Sequence, residues 1–61
     1  MFFNLPLSAD KDLYVNTTDK EPVQIVTRTH RIRLTKEEAE VLLDLLMRNG
    51  TQILQDMQEG R

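Results

Sequence analysis

The chain has no cysteine and no tryptophan, one histidine, one serine, two glycines and two prolines among its 61 residues. Each shortage removes a class of function. Without cysteine there is no disulfide and no thiolate metal site, and His30 alone cannot complete an imidazole ligand set. The glycines, Gly50 and Gly60, form no loop that could cradle a phosphate. Asp10 and Asp12 make a D-x-D pair, but neither a glycine nor a later glutamate completes a calcium loop. Catalysis needs a nucleophile, a base and a polarising group in a pocket that excludes water. Ser8 falls in a loop-like stretch, His30 sits among arginines, and Glu37, Glu38 and Glu40 open a helix, where acids serve the dipole. The reading is of a protein that is not an enzyme and takes no cofactor, metal or small-molecule substrate.

Long apolar runs are absent too. The opening residues 1–7 carry no base ahead of their apolar stretch, which is too short for a signal peptide or a membrane span. The expectation is a cytoplasmic location with no membrane partner, so that the Asn-x-Thr triplets at Asn16 and Asn49 carry no glycan.

A single domain of this length buries only about 60% of the surface its unfolded chain exposes. Disulfides and metals, the usual supplements, are excluded, and that leaves a partner subunit. Charge is segregated along the chain. Residues 22–36 carry Arg28, Arg31, Arg33 and Lys36 with no acid, whereas residues 1–21 sum to −2 and residues 37–61 to −4. Such a block either steers an anionic partner, protein or nucleic acid, or neutralises the acidic helix within an oligomer.

The N-terminal half reads as extended and the C-terminal half as helical. Residues 1–11 form an arm or, because Pro6 lacks an N–H, an edge strand. Residues 12–34 form a β-hairpin: Leu13-Tyr14-Val15, a polar turn from Thr17 to Pro22, then a β-branched stretch from Val23 to Leu34. That second stretch has a phase conflict. Val26, Ile32 and Leu34 fall on one face with Arg28 and His30 between them, and a bulge or bend near Thr27 to Thr29 would resolve it. The alternative is a carboxylate that meets Arg28.

Residues 35–58 form the helix. Thr35-Lys36-Glu37-Glu38 fits a capping box, and Asp44 with Arg48 makes an i,i+4 pair in the favourable order. Asn49-Gly50 could end the helix with a glycine cap. However, the apolar stripe Ala39, Leu43, Leu46, Gly50, Ile53, Met57 crosses the glycine in phase, with alternating spacings of four and three, as in a helix-pairing seam. Val41, Leu42, Leu45 and Met47 widen the apolar arc to about 240° in the first half. A hairpin could cover about half of that arc, and the rest marks an interface. The fold expected is α+β: a hairpin, with or without a third short strand, then one long amphipathic helix, continuous or broken at Gly50. It would associate through Ala39, Leu42, Leu43, Leu46, Gly50, Ile53 and Met57 into a dimer or higher oligomer.

The functional expectation is a homo-oligomeric regulator, adaptor or inhibitor, of the kind viruses and mobile elements carry. It would act on a larger protein through a basic strand comprising Arg28, His30, Arg31, Arg33 and Lys36. A structural assembly subunit is a further alternative. Thr29-His30-Arg31-Ile32-Arg33-Leu34 followed by a capped helix also resembles the opening of ribbon-helix-helix DNA-binding proteins. That resemblance implies that Thr29, Arg31 and Arg33 face DNA bases, that Ile32, Leu34, Ala39, Leu42, Leu45 and Leu46 form the core, and that Gly50 ends a first helix. It covers residues 29–50. Residues 51–60 are short for that family's second helix.

Overall fold

A computed structural model describes residues 1–60. Four strands, β1 (Phe2–Ser8), β2 (Lys11–Asn16), β3 (Val23–Val26) and β4 (Arg31–Leu34), precede one helix, α1 (Lys36–Glu59). The strands make an antiparallel sheet in chain order. The extended half is therefore a four-stranded meander in place of the expected hairpin, because the opening arm pairs with β2 and residues 23–34 fold back on themselves.

Of the two outcomes left open for the phase conflict, a bend near Thr27 to Thr29 is the one observed, and it is a full reversal of the chain where one continuous strand was expected. Two-residue hairpin turns of the favoured primed types need positive φ, and no described residue has one. Thr27 closes the loop differently. Its N–H donates to the His30 carbonyl at 2.8 Å, and its Oγ1 accepts the His30 N–H at 3.0 Å. The hydroxyl thus stands in for the second backbone bond. At the β2–β3 turn, Asn16 Oδ1 accepts the Thr18 N–H at 3.2 Å, and Asp19 Oδ1 accepts the Glu21 N–H at 3.0 Å.

Pro6 lies on the edge strand, as its missing N–H demands. The Thr17 N–H donates to the Met1 carbonyl at 3.0 Å. Odd residues of β1 therefore turn their peptide groups toward β2 and even residues turn them outward, so Pro6 forfeits no ladder bond. The register shifts between Pro6 and Ser8, and the pairing resumes with Ser8 opposite Lys11.

The capping box forms as the sequence predicts: the Glu38 N–H donates to Thr35 Oγ1 at 3.1 Å, and the Thr35 N–H donates to Glu38 Oε1 at 2.8 Å. The helix runs through Gly50 without a break and stops at Glu59, with Gly60 as its cap. Of the two alternatives at Gly50, the continuous helix is the one observed. The ribbon-helix-helix resemblance fails at this point, because no first helix ends at Gly50 and residues 51–59 continue the same helix. Thr29 also lies in the turn, outside β4.

Cross-strand pairing sorts the side chains onto two faces. Phe3, Val15, Val23 and Leu34 form one row of partners, and Leu5, Leu13, Ile25 and Ile32 form the next. Every residue in both rows is apolar. The opposite face carries Asn4, Tyr14, Gln24 and Arg33 in one row and Pro6, Asp12, Val26 and Arg31 in the other. The helix leaves β4 on the apolar side, since Val23 on that face is buried and only α1 can cover it.

Little else is buried. Val23 and Ala39, 4% and 2% exposed, are the whole hydrophobic core among the described residues. A folded monomer of 7.1 kDa would expose about 4,100 Å², whereas this chain exposes 5320 Å². Its radius of gyration is 13.0 Å, against about 10.5 Å for a compact chain of this length. A sheet and a helix, each apolar on one side, meet only where the chain passes from one to the other.

Candidate binding surfaces

The first surface is apolar and has two parts. On the sheet, Phe3, Leu5 and Ile32 are all at least half exposed, and Leu13, Val15, Ile25 and Leu34 are half-buried. On the helix, Leu42, Leu43, Leu46, Leu54 and Met57 are exposed, while Gly50 and Ile53 are half-buried. Ala39, which the sequence placed at the head of the stripe, is buried within its own chain, so the available stripe begins at Leu42. Exposed large apolar residues gathered on one side of an element are the usual mark of an interaction surface.

The second surface is the sheet's opposite face. Phe2 and Tyr14 pack there with ring centroids 6.2 Å apart. Arg31 and Arg33 stand on β4 along the same face. The Arg31 guanidinium donates to Gln24 Oε1 at 2.7 Å, and Arg33 Nε lies 3.7 Å from Glu21 Oε1. Both arginines remain exposed, so the ion pair is weak and can exchange for a partner's carboxylate. β4 is the outer strand of the sheet, and Ile32 and Leu34 turn their peptide groups toward β3. The outward backbone groups therefore belong to Arg31 and Arg33, and charged residues on a short edge strand discourage indiscriminate sheet growth.

The structure separates the basic residues that are contiguous in sequence. Arg31 and Arg33 share the outer face, whereas Arg28 and His30 belong to the exposed β3–β4 turn and Lys36 begins the helix. The His30 ring is tied locally, Nδ1 lying 2.8 Å from Thr29 Oγ1. Arg28 lines an open depression of about 220 Å³ with Ala9, Asp10, Asp12, Val26 and Thr27. The sequence did not single out Phe2 and Tyr14. The signal was the alternation of residues 2–6 and 12–16, which assigns faces only once the register between the two strands is known.

No cluster of three or more potential metal ligands occurs among the described residues. No helix there is long and apolar enough to cross a membrane. The arrangement presents one apolar and one mixed aromatic and basic surface, and no family model, curated protein or solved structure matches the chain.

Proposed function

We propose that this chain is a non-enzymatic binding module that works as a homo-oligomer, and that it acts as an adaptor, regulator or inhibitor of a larger protein. The observation that carries this reading is the complementary character of the two sheet faces. The wholly apolar face suits permanent burial against further copies of the chain. The opposite face suits a partner that comes and goes, because Phe2, Tyr14, Arg31 and Arg33 are of the residue types that dominate protein–protein hot spots. The partner expected is a protein with a carboxylate-lined surface, to which the two guanidinium groups donate charge-assisted hydrogen bonds.

The test compares immobilised wild-type protein with Tyr14→Ala and with Arg31→Ala/Arg33→Ala, alongside selection from random DNA duplexes at near-physiological salt. The expected result is a protein retained by the wild type and lost from both variants, whose oligomeric state is unchanged. Enrichment of a palindromic duplex, abolished by Arg31→Ala, would replace this reading with DNA binding. Retention of nothing but further copies of the chain would leave a structural assembly subunit.

A further inference from the structure

The helix is too long for the sheet beneath it. Its 24 residues span about 36 Å, while the longest strand, with seven residues, spans about 23 Å. The first turn meets the sheet at β4, where Ala39 and Val23 are buried. Beyond that the stripe Leu43, Leu46, Gly50, Ile53, Met57 keeps its phase, and Met57 is 71% exposed. The second half of the helix is also poorly supported by itself. Its last turn has no basic residue to oppose the dipole, Asp56 and Glu59 lie at the negative end, and an isolated helix of about 12 residues is marginal in water.

The sheet has the complementary deficit. Four strands at about 4.8 Å spacing make a surface roughly 15 Å wide, and a helix covers about 10 Å of it. The chain's own helix meets the sheet at β4 and buries Val23 on β3, but leaves Ile32 farther along β4 53% exposed. It does not reach β1, where Phe3 and Leu5 are 53% and 56% exposed.

We infer that the bare β1–β2 half of the apolar sheet face is the seat for the C-terminal half of α1 from a second copy of this chain, exchanged reciprocally about a twofold axis. The inference rests on the homo-oligomer reading above and supplies its geometry. Each helix meets its own sheet through its first turn, at Ala39, and its partner's sheet through the stripe beyond. The two helices run antiparallel. Leu42 and Leu45 on one flank of the stripe, or Met47 and Leu54 on the other, then meet the neighbouring helix, which accounts for an apolar arc wider than one sheet needs. Exposure above that of a compact monomer is about 1,200 Å² per chain, or about 2,400 Å² for a pair, within the roughly 2,000–5,000 Å² that obligate homodimers bury. Gly50 fits this position, because the missing side chain lets the helix backbone settle close to the second sheet.

Mixed-label NMR tests the arrangement. Wild-type chain labelled with ¹⁵N is mixed with unlabelled Met57→Cys carrying a nitroxide, and Gln58→Cys supplies a second label position should the first variant fail to fold. Sedimentation is measured on the same sample. The expected result is a dimer in which the amides of Phe3, Leu5 and Leu13 lose most of their signal and recover it when the nitroxide is reduced. A dimer whose losses centre on residues 53–59 would mean parallel helix pairing, which overturns the exchange and leaves the homo-oligomer reading standing. A dimer with losses in neither region also overturns it. A monomer would remove both the exchange and the homo-oligomer reading.

Discussion

Replacing Gly50 with alanine measures how the helix is supported at its middle. Gly50 is a helical residue without positive φ, so alanine can adopt its backbone conformation unstrained. A Cβ built there meets nothing within 4 Å of its own chain. The intrinsic gain is about 1 kcal/mol, from the difference in helix propensity and the smaller entropy of the unfolded chain. For a domain near 60 residues, each kcal/mol moves the melting temperature by roughly 8 °C. The proposed seat on a second sheet works against part of that gain, since a methyl group on the stripe must be accommodated where the backbone comes close. Thermal melts followed by circular dichroism at several matched chain concentrations separate the two contributions, because association makes the midpoint depend on concentration. The expected outcome is a stabilised variant at low concentration whose advantage shrinks as concentration rises. A variant destabilised at every concentration, with helix content reduced, would refute the continuous-helix argument.

Other perturbations address other parts of the argument. Thr35→Ala removes the hydroxyl that accepts the Glu38 N–H and should cost about 1 kcal/mol in a denaturant titration. Leu46→Glu places a charge on the exposed stripe, and sedimentation should show dissociated or unfolded chain. Pro6→Thr restores an outward N–H on β1 and should raise light scattering on storage as edges begin to pair. Asp44→Asn breaks the 3.0 Å pair with Arg48, which is well exposed, and should change the melt by no more than about 0.5 kcal/mol.

The helix was legible because its signals are local. A capping box needs four adjacent residues, so Thr35 and Glu38 could be read without knowing the sheet, whereas at Gly50 the phase of the stripe favoured continuity but Asn49-Gly50 also fitted a glycine cap, and both alternatives stood. The strands were legible only in part. The polar turn at residues 17–22 and the edge position of Pro6 follow from side-chain chemistry within a few residues. The faces do not, because they depend on register. Residues 2–7 could be assigned as a strand only by their pairing with β2, and Phe2 and Tyr14 became neighbours only when Phe2 was set opposite Asn16 and Asn4 opposite Tyr14. Ala39 illustrates the opposite limit. Its periodicity placed it correctly on the apolar stripe, but not whether its own strands or another chain would cover it.

The character of both sheet faces depends on the turn at Thr27. In an uninterrupted strand from Val23 to Leu34, the period of two would put Arg31 and Arg33 on the face of Val23 and Ile25, and would put Ile32 and Leu34 on the other. Two charges would then interrupt the apolar face and two large apolar residues the polar one. Because Thr27 and His30 close a turn around Arg28 and Thr29, the return strand pairs Ile32 with Ile25 and Leu34 with Val23. The arginines move together to the face of Tyr14 and Gln24. The conflict apparent in the sequence therefore records a reversal of chain direction, and one threonine hydroxyl helps to hold it. Thr27→Val keeps the β-branched shape but removes the acceptor for the His30 N–H, so it should loosen the β3–β4 pairing by about 1 kcal/mol. Amide exchange at Ile32 and Leu34, whose peptide groups face β3, should then accelerate while the helix amides of residues 40–48 hold their protection. Unchanged exchange at both strand positions would show that the backbone bond from Thr27 to the His30 carbonyl, with the apolar rows, suffices to fix the reversal without the hydroxyl.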